Sequence, residues 1–322
     1  GRRVLPGVLL VGLLVNAFFG ILESAITPTG DLATEGGRVH GLMSNSLFLG
    51  GLLVGGLALT GYLAAKHQDR LILFLALVIP LAMAVNLTGS RAALVGGSAL
   101  AVIAAYVAAG EDRSVALRTA GLVAVVVVLG FALSLPLQGD ESSSSRISDT
   151  SESGGYTSRG IMWNLALKSV AERPIAGWGP GRFREATSPR ISAEFVRAEG
   201  PDKLFYDAHN IVVENLVATG IVGLILLGGF AWSQVRRCRG PLAWFAGGVA
   251  LTWLFNPVSI CTGALALLAL GAAARHDPAE DPVAGRSVVP ARVVGALLAA
   301  LGLVAGVRLL WADALLDKGV AS

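Results

Sequence analysis

The sequence predicts an all-α, polytopic integral membrane protein with about nine transmembrane helices and one large extracytoplasmic loop containing an amphipathic helix. Three observations predict this class. Of 322 residues, 54% are hydrophobic and only 15% charged, with a mean hydropathy of +0.67, too apolar for a soluble domain of this size. Apolar runs of about 20 residues recur, each long enough for a hydrocarbon core of roughly 30 Å at about 1.5 Å per residue. The basic residues of the short loops segregate by side. With the N-terminus inside, twelve Lys and Arg fall on inner segments and three (Arg38, Arg91, Lys318) on outer ones.

In chain order, the predicted spans are 4–22, 43–65, 71–88, 92–109 and 119–137, then 209–232, 241–256, 258–274 and 291–311. They divide the chain into an N-terminal bundle of five spans (1–137), an extracytoplasmic loop (138–208) and a C-terminal bundle of four spans (209–322). The first span is too long for a signal peptide and lacks its cleavage pattern; with Gly1 in first place, the chain reads as a fragment or processed form. The glycines of 50–56 read as close helix packing. The valines of 119–137 suggest a strand in water, but an isolated strand cannot satisfy its backbone in lipid, so helix is predicted.

The loop changes character along its length. Residues 138–155 are Ser-rich and charged and read as disordered. Residues 159–172 then place Met162, Leu165, Ala166 and Val170 on one helical face, with Asn164, Lys168 and Glu172 on another. The helix is expected to be capped by Thr157 or Ser158 and to stop before Pro174. Residues 177–183 form a turn-rich segment carrying Trp178 and Phe183. In the C-terminal half, Asn256-Pro257 marks a turn between spans. No internal repeat and no interrupted helix is predicted.

Several chemistries lack their residues. No Cys/His metal spacing, P-loop, HExxH or GxSxG occurs, so neither a metal nor a cofactor is expected. No basic-aromatic stretch suggests nucleic acid. Cys238 falls in an inner loop and Cys261 in a span, positions that do not suit a disulfide.

The candidate site residues are polar groups at helix starts. Arg91 opens span 92–109 from outside, although outer loops avoid Arg and a cation opposes the dipole there. An anion bound jointly by helix-end N–H groups and the guanidinium accounts for it; so does an interfacial Arg reaching lipid phosphates. Arg159 repeats the pattern in the loop helix, or is a solvated loop cation. His209 opens span 209–232, where a helix N-terminus favours the uncharged imidazole of a general base; it is alternatively an interfacial His bonded to headgroups or backbone. Asp207 is placed to cap that helix or orient the ring. Arg38 is a further anion contact or a surface charge. Glu214, an acid inside a span, is expected to face the bundle interior, with no role assigned.

These residues, taken with their order, resemble the O-antigen ligase and polymerase family. The resemblance rests on the large loop, Ser90-Arg91 after an apolar helix, Arg159-x-x-x-Trp163, Gly177-Trp178-Gly179-Pro180-Gly181, and His209-Asn210 before Thr219-Gly220-x-x-Gly223. Gly36-Gly37-Arg38-Val39-His40-Gly41 followed by Ser44-Asn45 is similar to the family's upstream motif, although Asn45 is followed by Ser46 and the motif's Pro is missing. The resemblance implies a polytopic glycosyltransferase of the bacterial cytoplasmic (inner) membrane, acting on its extracytoplasmic side, and further helices ahead of the Arg38 motif. It implies an undecaprenyl-diphosphate-linked glycan as donor and an acceptor glycan or glycolipid as partner, among membrane lipids. Arg91 and Arg159 then match the arginines that contact the donor diphosphate, and His209 the histidine that activates the acceptor. Arg38, Trp178 and Asn210 are expected to bind substrate. The contending classes are a polysaccharide or lipid transporter, which shares the arginines, and a non-catalytic membrane scaffold, which leaves the three helix-start cations unexplained.

Overall fold

Local chemistry fixes where most helices begin. In the computed structural model, which describes residues 4–26, 38–137, 154–193, 196–197, 200 and 206–274, side-chain caps start five of them. Asn45 Oδ1 accepts from Leu47 N at 2.7 Å, Ser90 Oγ from Ala93 N at 3.3 Å, and Asp112 Oδ1 from Ser114 N and Val115 N. Asn210 Oδ1 accepts from Val212 N and Val213 N, and Ser259 Oγ from Thr262 N. Each satisfies amides that the first helical turn leaves without partners.

Ten α-helices result among the described residues: α1 (Leu5–Ile26), α2 (Ser46–Lys66), α3 (Leu71–Leu87), α4 (Arg91–Ala108), α5 (Arg113–Ser134), α6 (Gly154–Val170), α7 (Phe183–Thr187), α8 (Ile211–Arg237), α9 (Pro241–Thr252) and α10 (Ile260–Ala273). Their only β pairing is an isolated bridge between Cys238 and Ala274. Among the described residues, six helices are long and apolar enough to cross a membrane: α1, α2, α3 with its preceding 3-10 turn, α4, α5 with its following turn, and α8. They correspond to six of the nine predicted spans. The predicted spans 241–256 and 258–274 are shorter, at 12 and 14 residues, or about 18 and 21 Å of helix. Pro257 explains the difference, because it disfavours helical backbone at the residue before it. The predicted span 291–311 lies outside the described residues, as does 138–153 of the Ser-rich segment.

α2 lies at the centre, buried along nearly its whole length. It packs most closely on α4, α9 and α3, while α5 covers α3 and α4, and α1 lies on α2 and α3. Small residues permit this. A Cβ on Gly61 would lie 2.3 Å from Ala101 O, and one on Gly55 2.8 Å from the Phe245 ring. The expectation of close packing by the 50–56 glycines therefore holds. Inside, Asn86 Nδ2 donates to Ser134 Oγ at 2.8 Å, joining α3 to α5.

Alternating helices gather the chain's loops at two ends. One end holds the tail of α1, residues 38–45, the 87–91 turn, the end of α5, residues 207–211 and the 253–259 turn. The other holds residues 66–70, 109–113 and 237–241, and with them Lys66, Arg70, Arg113, Arg236, Arg237 and Arg239.

α6 begins at Gly154, earlier than predicted, so Thr157 and Ser158 lie within it rather than at its cap. The predicted stripe is real: Met162, Leu165 and Ala166 are buried and Val170 half-buried. Met162 and Ala166 pack with Phe183, Ala186, Ala208 and Val217 in a second small core, separate from that of the bundle.

The 27 residues of α8 would make a straight helix of about 40 Å. Its start is tied to the end of α9 by Ile211 N donating to Trp253 O at 2.8 Å, and its far end to Ala274 through Cys238. A helix tied at both ends to partners half its length cannot run straight beside them. It breaks at Gly220, with φ 65° and ψ −161°. This corrects the expectation of no interrupted helix.

Candidate functional site

The loop before α8 accounts for its amides one by one. Ala208 N donates to Glu214 Oε2 at 2.8 Å, His209 N to Asp207 Oδ1 at 2.7 Å, Ile211 N to Trp253 O, and Val212 and Val213 to Asn210. His209 adopts φ 50°, the left-handed region that a non-glycine residue occupies only when its surroundings enforce it. The same Asp207 oxygen lies 2.7 Å from His209 Nδ1. One carboxylate thus faces both the backbone amide and the ring, with Nδ1 turned toward it.

Burial alone would raise the Asp207 carboxyl above its ordinary value. The hydrogen bonds and charge of His209, together with the charge of Arg159, outweigh that and hold it below. Arg159 therefore acts on the same cluster as His209. One turn further along α6, Trp163 Nε1 donates to Ala208 O at 2.9 Å, fixing the helix that carries Arg159 against the histidine loop.

Asn210 is committed to position. Its Oδ1 caps α8 and its Nδ2 donates to Leu254 O at 2.8 Å. Glu214, in the first turn of α8, is half-buried and accepts from the Ala208 amide, so it braces the histidine loop from the helix that follows it.

The second group of predicted residues meets at the turn between α3 and α4. Ser90 caps α4, and Arg91 is its first residue. Arg38, fifty-three positions earlier, donates from Nε to Thr88 O at 3.0 Å, and Val39 N donates to Leu87 O at 3.2 Å. The structure thus brings Arg38 to the turn that ends in Arg91. α2 and α9 connect this turn with the histidine loop: Gly50 packs on Thr88 and Ser90, Gly51 on Thr252, and Trp253, the residue that follows α9, takes the Ile211 amide. Arg38, Arg91, Arg159 and His209 accordingly lie at one end of the bundle.

Trp178 and its flanking glycines repair the break in α8. Trp178 N and Gly179 N donate to Val217 O and Ala218 O, and Ile221 N and Val222 N donate to Pro174 O and Ile175 O. The carbonyls and amides that a broken helix would leave open are closed by 174–179. Backbone approaches backbone here: a Cβ on Gly220 would lie 2.3 Å from Ile175 O, and one on Gly177 2.6 Å from Thr219 N. The Trp178 ring lies under Arg173 and Arg190, and its Nε1 donates to Ser169 O at 2.8 Å.

Two contributors are absent from the sequence reading: Trp163 as a hydrogen-bond donor and the Gly220 break. An acid near the start of α8 was a signal for Glu214, since such acids reach back to amides preceding the helix. The Gly220 break has no local signal beyond a glycine. Chemically, permanently charged guanidinium groups at the same end as an oriented imidazole suit an anionic leaving group and a deprotonated nucleophile.

The model of the family described as O-antigen ligase matches residues 71–228. The chain matches no curated protein.

Proposed function

We propose, from the match of residues 71–228 to the O-antigen ligase family, that this membrane protein is a glycosyltransferase that moves a glycan from an undecaprenyl-diphosphate carrier to an acceptor hydroxyl. The observation that carries this reading is the Asp207–His209 contact at 2.7 Å beside Arg159. His209 Nε2 takes the proton of the acceptor hydroxyl. The freed oxygen attacks the anomeric carbon as its bond to the diphosphate oxygen breaks. Arg91 and Arg159 receive the charge that collects on the leaving diphosphate, so their contacts strengthen in the transition state. Attack opposite the leaving group inverts the anomeric centre. The arginines supply the positive charge, so no metal enters the mechanism.

Arg38 reaches the same diphosphate beside Arg91. Asn210 holds the mouth of α8, and Trp178 lines the donor's path while it secures the break. The positive-inside asymmetry supports the reading that this end of the bundle faces the extracytoplasmic side of the cytoplasmic membrane.

Purified protein incubated with a defined lipid-linked oligosaccharide tests the reading, with product length resolved on a gel. Transfer to a separate acceptor as a single shift makes it a ligase, and a ladder makes it a polymerase of the same family. Absence of any transferred glycan contradicts both.

The interruption of α8 is the one observation that favours a transporter, because transporters build binding sites on broken helices. Here residues 174–179 take up the freed backbone groups, which leaves them unavailable to a cargo. Flux across vesicles without glycan product would restore the transport reading.

A further inference from the structure

Glu23 lies near the end of α1, outside every motif that the site draws on. Its Oε2 accepts from both His40 N at 3.0 Å and Gly41 N at 2.9 Å, and its Oε1 lies 3.4 Å from His40 Nε2. The side chain is 20% exposed. A carboxylate this far from water is costly unless charge-assisted hydrogen bonds compensate it, and two successive backbone amides do so here. The segment it grips is shaped for that grip. Gly41 has φ 57°, and a Cβ there would lie 2.9 Å from Asn16 O. Val39 is buried against Gly20, and its amide donates to Leu87 O. Arg38, the next residue back, donates to Thr88 O on the turn that leads into Arg91. Residues 38–41 thus form a short strap, clamped by α1 through Glu23 at one side and by the end of α3 at the other.

We propose that Glu23 is a positioning residue for anion binding: it sets the strap that presents the Arg38 guanidinium beside Arg91 to a diphosphate. The inference rests on the reading of Arg38 as a diphosphate contact and adds the group that places it. Glu23 acts through backbone, so an uncharged acceptor of the same length suffices. The Gln amide oxygen reaches both N–H groups; the Asp carboxylate, one methylene shorter, does not.

A double-mutant cycle on the full chain tests this, reading the dissociation constant of undecaprenyl diphosphate. Arg38→Ala is expected to weaken binding about tenfold or more, the loss that accompanies removal of a charged hydrogen bond. Glu23→Ala and Glu23→Asp are expected to weaken it in the same direction. Glu23→Ala is expected to add nothing in the Arg38→Ala background. Glu23→Gln is expected to bind within about threefold of the unaltered protein. Hydrogen exchange at the His40 and Gly41 amides should quicken in Glu23→Ala and Glu23→Asp and stay slow in Arg38→Ala. Should Glu23→Ala fail to fold, the Asp and Gln variants carry the same comparison. Additive losses, or a Gln variant as weak as Ala, overturn the positioning role while leaving the Arg38 contact in place. Unaltered binding by Arg38→Ala overturns both.

Discussion

One Asp207 oxygen lies 2.7 Å from both the His209 amide nitrogen and Nδ1 of its ring, so the carboxylate orients the imidazole. The carboxyl is held below its ordinary value. A depressed acid contributes its stabilisation above its unfolded value of about 3.9 and loses it only as pH falls through the lower folded value. Between neutrality and about pH 4, Asp207 therefore stays ionised, and an acid limb of the rate in that window belongs to another group. Asp207→Asn removes the carboxylate that faces the ring; kcat is expected to fall with donor binding kept, and an unchanged kcat counts against the contact. The candidate residues legible in the sequence are those whose position is odd on its own terms, a cation or a histidine where a helix begins. Their supports were not legible. Glu23 and Trp163 do their work through partners 17 and 45 positions away, and no periodicity records such a partnership.

At the scale of elements, the break in α8 and the 174–179 segment form one unit. Gly220 supplies a backbone conformation closed to other residues, and Gly177 allows the close approach. Gly220→Ala meets both strain and the Ile175 carbonyl, so it is expected to cost at least about 1–3 kcal/mol and to lower the thermal midpoint in detergent. Loss of the α8 cap in Asn210→Ala is expected to cost about 1 kcal/mol; both are read from unfolding midpoints, and a Gly220→Ala protein as stable as the original contradicts the described break. Hydropathy found the long spans because each is a continuous apolar run. It overran α9 because apolar residues continue through Trp253, Leu254 and Phe255 while the backbone turns before Pro257. It overlooked the α8 break because a helix repaired by residues forty positions earlier reads in sequence as an unbroken helix.

Across the whole molecule, the alternation of helices places the arginine turn, the histidine loop and the Glu23 strap at one end and the basic short turns at the other. With Cys238 and Cys261 replaced by Ser, a cysteine introduced at exposed Tyr206 is expected to react with a membrane-impermeant maleimide in intact cells, and one at Glu111 only after lysis. The reverse pattern would put the site on the wrong face for a carrier-linked glycan.

In the proposed mechanism His209 removes the acceptor proton while arginines hold the diphosphate. It is tested most directly by comparing the unaltered protein with His209→Ala, measuring transfer from a lipid-linked oligosaccharide and equilibrium binding of that same donor. The account predicts that His209→Ala loses transfer by a factor of about 10²–10⁴ and binds donor as before; transfer at the unaltered rate contradicts it.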